Sequence, residues 1–89
     1  MTEFDVTIVN RLGLHARAAA KFVHLAGAFV SRVTVAREGT RVDGKSILGL
    51  LTLAASKGTK LRLSIQGDDE VEAGSQLSEL VRSRFGEEA

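Results

Sequence analysis

The spacing of hydrophobic residues changes repeatedly along this chain, and these changes limit its fold more than any single motif does. Apolar and polar residues alternate over residues 4–8, 33–36 and 60–66, which is the period of a strand with one buried face. Between these segments the apolar residues recur every three or four positions, which is the period of a helix. The chain is therefore expected to fold as a mixture of short strands and helices.

The first half of the chain predicts one helix and one hairpin after the opening strand. Apolar residues at positions 19, 22, 23 and 26 share one face of a helix that closes near Gly27, and the alanine run 18–20 favours that helix. Alternation over residues 33–36, a turn at residues 38–40 and a second short strand through Val42 predict the hairpin.

The second half predicts two more helices around the most regular strand. Ser46 precedes a short apolar run and is placed to cap a helix with its hydroxyl. Asp69, followed three residues later by Glu72, resembles a capping box at the start of a helix that ends before Gly86. The predicted order of elements is β-α-β-β-α-β-α. The strand at 60–66 is expected to lie centrally in the sheet.

Amphipathic elements in this order predict two layers, with helices on one face of a mostly antiparallel four-stranded sheet and solvent on the other. A chain of 89 residues buries only about 60–65% of its unfolded surface, which is enough for one core. No linker, repeat or low-complexity tract divides the chain. We therefore expect an α+β fold and a single domain spanning residues 1–89.

Composition and charge exclude several classes of function. The chain has no cysteine and only two histidines, so we expect no disulfide, no thiolate catalysis, no metal and no other cofactor. A net charge of +1 provides no general attraction to nucleic acid or to an anionic membrane, and the four phenylalanines are scattered instead of forming a base-stacking surface. A polar start and the lack of an apolar run of about 20 residues predict a cytoplasmic protein with no membrane insertion.

An imidazole and a guanidinium stand together where the first helix begins, in the sequence Gly13-Leu14-His15-Ala16-Arg17. The first amides of a helix lack partners within it and carry partial positive charge, so they attract anions such as phosphate. Arg17 can add donors to phosphoryl oxygens, while the positive helix end keeps His15 neutral and nucleophilic. The alternative is that His15 only caps the helix. His24 falls on the opposite side of the helix and is expected to be an exposed surface residue.

The second candidate segment is Lys45-Ser46-Ile47-Leu48-Gly49-Leu50-Leu51. So small a domain cannot cover every side of a short apolar helix, so some of Ile47, Leu48 and Leu51 are expected to be exposed. An exposed apolar patch favours a docking surface, unless the loop after the third strand covers it. Ser46 is either only the helix cap or a regulatory phosphorylation site whose added charge repels an acidic partner.

Two motifs in the chain resemble those of a known family. The stretch from Gly13 to Ala19 is similar to the active-site motif of HPr, the histidine-containing phosphocarrier of the bacterial phosphoenolpyruvate-dependent sugar phosphotransferase system. Lys45 to Leu50 is similar to that family's second motif, and the length and order of elements match as well. Ala18 departs from the family pattern, which usually has proline there. The alanine is expected to loosen the helix start and to alter rates without loss of function.

The resemblance implies an open-faced β-sandwich with strand order 1-4-2-3 and a phosphoryl carrier that is not an enzyme. His15 would accept the phosphoryl group on Nδ1 from phosphorylated enzyme I and donate it to enzyme IIA domains, with Arg17 stabilising the phosphoryl oxygens. Ser46 would be the site of a regulatory kinase and phosphorylase. Ile47, Leu48 and Leu51 would form the docking patch of a protein that acts as a monomer.

Two other functions use the same residues. One is a phosphocarrier or binding module of a nitrogen or carbon regulatory branch, which docks on a transcriptional regulator when Ser46 is phosphorylated and has no direct part in sugar transport. The presence of His15 argues against a module that never carries phosphate on histidine. The other is a small phosphate-ester or acyl-phosphate hydrolase, against which the lack of a water-activating residue counts. The tail, residues 85–89, is assigned no role.

Overall fold

Four strands and three α-helices follow one another in the predicted order in a computed structural model that describes residues 1–89. The strands are β1 (Thr2–Thr7), β2 (Arg32–Arg37), β3 (Thr40–Asp43) and β4 (Lys60–Gln66). The helices are α1 (Ala16–Ala26), α2 (Ile47–Thr52) and α3 (Glu70–Arg82), and a short 3-10 turn follows at Arg84–Gly86.

The strands form one antiparallel sheet in the order β1-β4-β2-β3. β4 lies between β1 and β2, in the central position expected for it, so Leu63 pairs with Phe4 on one side and with Val35 on the other. Successive side chains of a strand point to opposite faces, so these apolar residues share the inner face while Lys60 and Arg62 lie on the outer face. The expected open-faced two-layer α+β fold is confirmed.

Nineteen buried hydrophobic residues from the sheet, the helices and the loops between them form one core. Leu63, Ile65 and Leu77 are fully buried in it, and each such side chain contributes about 1.5–3 kcal/mol by leaving water. Phe85 is fully buried as well, although it lies in the turn after α3. The end of the chain is therefore anchored in the core.

The outer face of the sheet carries charged side chains. Arg62 lies 3.2 Å from a carboxylate oxygen of Asp5 and 3.9 Å from one of Glu3, on the neighbouring strand. Exposed pairs of this kind contribute about 0–1 kcal/mol each, so they add little to the stability of the protein. The longest helix, α3, has 13 residues, and none of the helices combines the length and the apolar character needed to span a bilayer.

The two predicted helix caps have different outcomes. Ser46 caps α2 as predicted, because its Oγ accepts a hydrogen bond from the backbone N–H of Gly49 at 3.0 Å. The capping box predicted at the start of α3 is wrong. Asp69 occupies the cap position, but its carboxylate makes no bond to the helix.

The Asp69 carboxylate is bound to the loop between α1 and β2 instead. It accepts hydrogen bonds from the backbone N–H groups of Val30 and Ser31 at 3.0 Å each and from the Ser31 hydroxyl at 2.5 Å. These bonds, with that of the Ser31 hydroxyl foremost, hold the pKa of the Asp69 carboxyl below its ordinary value. Three donors from a distant loop outweigh one amide of the helix, which is why the local pattern predicted the wrong partner.

Candidate functional site

His15 is the N-cap residue of α1, with extended backbone just before the helix. The chain enters this position through Gly13, whose φ is +73° and whose missing Cβ would lie 2.6 Å from the carbonyl oxygen of Ala55. Only glycine fits such a conformation and so close a backbone approach. The N–H of Leu14 donates to the same Ala55 carbonyl at 2.8 Å. The position of His15 is therefore set by contact between its loop and the segment after α2.

The Nδ1 atom of His15 faces the N-terminal end of α1. It accepts a hydrogen bond from the backbone N–H of Arg17 at 3.3 Å, and no acidic side chain lies in the first turn. His15 therefore caps the helix and presents a nitrogen lone pair at its positive end. The Arg17 side chain is exposed and forms no ion pair within the chain, which leaves its guanidinium free to reach an anion.

The opposite ring nitrogen, Nε2, donates a hydrogen bond to the side-chain carboxylate of Glu87. This bond lowers the pKa of the Glu87 carboxyl below its ordinary value; desolvation opposes the shift, and a hydrogen bond from Asn10 adds to it. An ionised carboxylate only accepts hydrogen bonds, so the hydrogen of the ring is on Nε2 and the lone pair is on Nδ1.

Three contacts besides the His15 bond hold the tail that carries Glu87. The Asn10 side-chain amide donates to the second Glu87 oxygen at 3.0 Å. The Lys21 ammonium donates to the carbonyl of the buried Phe85 at 2.7 Å. The backbone N–H of Arg11 donates to the carbonyl of Ala89 at 2.9 Å. The last six residues therefore lie along the loop before α1 and the first turns of that helix.

Glu87 is the site residue that reasoning from the sequence missed. It lies 72 positions after His15, and no periodicity or motif connects two residues so far apart. The only signal is local, because an aromatic residue and a glycine, Phe85 and Gly86, precede it in an otherwise polar tail. That pattern suits an anchored turn but does not identify what the following carboxylate contacts.

The residues predicted to form a docking patch lie on α2. The exposed fractions of Ile47 and Leu48 are 40% and 77%, whereas Leu51 is half-buried against the core. The loop after β3 therefore does not cover Leu48. Because α2 packs against α1, the patch and His15 belong to neighbouring helices.

The other candidate side chains lie apart from the ring of His15. His24 is exposed near the end of α1, as expected, and Ser46 is half-buried at the start of α2. The His, Asp and Glu side chains nowhere form a group of three or more that could hold a metal ion.

The fold and this site define a class of small α+β proteins that hold a histidine at the start of their first helix. The family profile described as "PTS HPr component phosphorylation site" matches residues 2–83. The chain belongs to the HPr family, the phosphocarrier proteins of the phosphotransferase system, as the two sequence motifs implied.

Individual relatives agree with this assignment. The chain is 52% identical over 87 residues to the phosphocarrier protein HPr of Cupriavidus necator and 51% identical over 88 residues to that of Pseudomonas aeruginosa, covering 98% of each chain in both cases. Among solved structures, HPr-C-His from Thermoanaerobacter tengcongensis superposes with a TM-score of 0.96 at 45% identity over the whole of both chains. HPr from Bacillus anthracis gives 0.86 at 32% identity, covering 90% of this chain and 95% of that one.

Proposed function

We propose that this protein is a phosphocarrier of the phosphoenolpyruvate-dependent sugar phosphotransferase system. In this proposal Nδ1 of His15 accepts the phosphoryl group from phosphorylated enzyme I and donates it to enzyme IIA domains. Membership of the HPr family supports the role, and the observation that carries the site is the unequal pairing of the two ring nitrogens of His15. We infer that the transfer takes place in the cytoplasm, in keeping with the system to which the family belongs.

The pairing of the ring favours Nδ1 over Nε2 as the reacting nitrogen. Nε2 is covered by the Glu87 carboxylate, whose negative charge repels a phosphoryl group. Nδ1 holds a lone pair, and its bond from the Arg17 N–H is long at 3.3 Å, so a phosphoryl oxygen can replace it as the acceptor. The same amide that caps the free histidine would then bind the phosphorylated one.

The proposed step is in-line transfer between two imidazoles. The Nδ1 lone pair forms the new N–P bond while the N–P bond of the donor histidine breaks and its electron pair returns to the donor ring. No proton leaves Nδ1, so no general base is required. Transfer to enzyme IIA reverses the step, and the protein is a transiently phosphorylated cosubstrate, not a catalyst with its own turnover.

The docking of partners is proposed to use Ile47, Leu48 and Leu51. An exposed apolar patch beside the reacting helix supplies contact area without a large buried interface, which suits partners that bind briefly. We infer that the monomer is the working form. The sheet and the hydrophobic core both close within one chain, although HPr from Thermoanaerobacter tengcongensis has also been solved as a dimer.

Incubation with phosphoenolpyruvate and enzyme I tests the carrier function. The wild type is expected to gain one acid-labile, base-stable phosphate, which passes to enzyme IIA when that protein is added. Absence of the label contradicts the proposal. Release of free phosphate before enzyme IIA is added supports the hydrolase instead.

Replacing Arg17 by alanine is expected to slow phosphorylation of His15 by roughly 10²–10³-fold, because one charged donor to the phosphoryl oxygens is lost. Arg17→Lys keeps the charge without the paired donors and should recover part of the rate. The measurement is the initial rate with enzyme I. The matched control is Arg62→Ala, which removes an exposed arginine on the outer face of the sheet, opposite the helices. Equal rates for the wild type and Arg17→Ala would refute the role.

We further propose that Ser46 is a regulatory phosphorylation site for a kinase and phosphorylase, with a transcriptional regulator as a partner of the modified form. Ser46 immediately precedes Ile47 of the patch, so a dianion there opposes docking of an acidic partner. Ser46→Asp is expected to slow phosphorylation by enzyme I. Ser46→Ala should keep the rate and lose about 1 kcal/mol of unfolding free energy with the cap.

The modification itself is tested by exposing the protein to extract of its own host with ATP and mapping phosphate by mass spectrometry. Phosphate on Ser46 supports the proposal. An unmodified Ser46, or a Ser46→Asp variant with the wild-type rate, leaves the residue with its capping role only.

A further inference from the structure

The contact between His15 and Glu87 is largely shielded from solvent. The exposed fractions of the two side chains are 27% and 18%, well below those of the ion pairs on the outer face of the sheet. Both oxygens of Glu87 are used, one by Nε2 and the other by the amide of Asn10. Asn10 is fully buried and also donates to the Gly13 carbonyl at 2.8 Å, which joins Glu87 to the loop that carries His15.

The backbone of the tail takes an uncommon conformation to bring Glu87 there. Arg84 and Phe85 have φ values of 61° and 54°, so two consecutive residues other than glycine adopt the left-handed region. Such residues persist only where the surrounding structure holds them, and here the core holds the Phe85 ring while Lys21 holds its carbonyl. The turn directs the next residues back towards α1 instead of into solvent.

We propose that Glu87 is a positioning residue for phosphoryl transfer at His15, a role that rests on the proposed function of that histidine. Its carboxylate holds the ring hydrogen on Nε2, which keeps the lone pair on Nδ1 where the phosphoryl group arrives. Without an acceptor beside Nε2 the neutral ring divides between two tautomers, one of which has no lone pair on Nδ1. The carboxylate thus increases the fraction of protein molecules in which Nδ1 of His15 holds the lone pair needed for the reaction.

Glu87 also opposes the charge that the transfer creates. When the Nδ1 lone pair forms the N–P bond, the donor imidazole recovers its own electron pair, and Nε2 of His15 keeps its hydrogen. The ring of His15 thereby gains one positive charge, which the adjacent carboxylate stabilises as it develops. Donation of the phosphoryl group to the next protein removes this charge again. Glu87 touches the ring but not the phosphoryl group, so it acts through His15.

The test compares Glu87→Gln and Glu87→Ala with Glu88→Gln, which removes the neighbouring, exposed carboxylate. Nitrogen-15 NMR of the unphosphorylated protein, at a pH at which the His15 ring is neutral, reports the tautomer of His15. Steady-state kinetics of enzyme I, with this protein as its substrate, give kcat and KM. We expect the tautomer with hydrogen on Nδ1 to appear in Glu87→Ala. We expect kcat to fall at least about tenfold in both Glu87 variants with unchanged KM, because the docking patch is intact. Glu88→Gln should match the wild type.

The outcomes separate this proposal from the carrier function. Wild-type tautomer and kcat in Glu87→Ala overturn the role of Glu87 while leaving His15 as the phosphate acceptor. A lower melting temperature with an unchanged tautomer and kcat also overturns it, because the contact would then be only structural. If the wild type itself is not phosphorylated, the function of His15 fails instead.

Discussion

Replacing His15 by asparagine is expected to abolish phosphorylation by enzyme I completely, whereas replacing His24 by alanine should leave it unchanged. Asparagine is a good N-cap and can accept the hydrogen bond from the Arg17 amide, so the start of α1 is preserved while the nucleophile is lost. His24 is exposed and lies nine residues further along the helix. The measurement is transfer of labelled phosphate from phosphoenolpyruvate, followed by mass spectrometry of the intact protein.

The choice of asparagine separates chemistry from folding. His15→Ala loses the cap as well as the ring and is expected to lower the unfolding free energy by about 0.5–2 kcal/mol, which for a domain of this size shifts Tm by several degrees. His15→Asn should unfold close to the wild type and still take up no label. Any acid-labile phosphate on His15→Asn would show that another residue is the acceptor.

Replacing Phe85 by alanine is expected to lower the unfolding free energy by about 3–5 kcal/mol. The Phe85 ring is fully buried, so its removal loses the transfer free energy of the ring and leaves a cavity. That loss is a large part of the 5–15 kcal/mol of total stability usual for such domains. Urea unfolding followed by circular dichroism measures it. The matched control is Leu48→Ala, which truncates a side chain that is 77% exposed and should change stability by less than about 0.5 kcal/mol.

The same substitution should also affect the functional site. Phe85 anchors the turn that carries Glu87, so its truncation is expected to free the tail from the ring of His15. The protein that remains folded should then show the tautomer mixture and reduced kcat expected of Glu87→Ala. If Phe85→Ala lowers the unfolding free energy by less than about 1 kcal/mol, the anchoring role of the Phe85 ring is contradicted.

Predictions from the sequence succeeded where the cause of a structure is local. Alternation in residues 60–66 predicted a strand with one buried face, because successive side chains of a strand point to opposite faces of the sheet. The serine cap of α2 needs only a hydroxyl and an amide three residues apart. Asp69 shows the limit of this reasoning, since its sequence neighbours suit a capping box while its actual donors belong to a loop nearly forty residues earlier.

The sequence by itself determined that one of two histidines stands at the start of a helix with an arginine two residues later, because both facts depend on a few consecutive residues. Only the tertiary structure decided how the ring of that histidine is oriented and which of its nitrogens is free. That choice depends on Glu87, which reaches His15 only because the core takes in Phe85 and the chain turns back after α3. Hydrophobic burial brings distant segments together without leaving any periodic signal between them, so such a contact is visible only once the chain is folded.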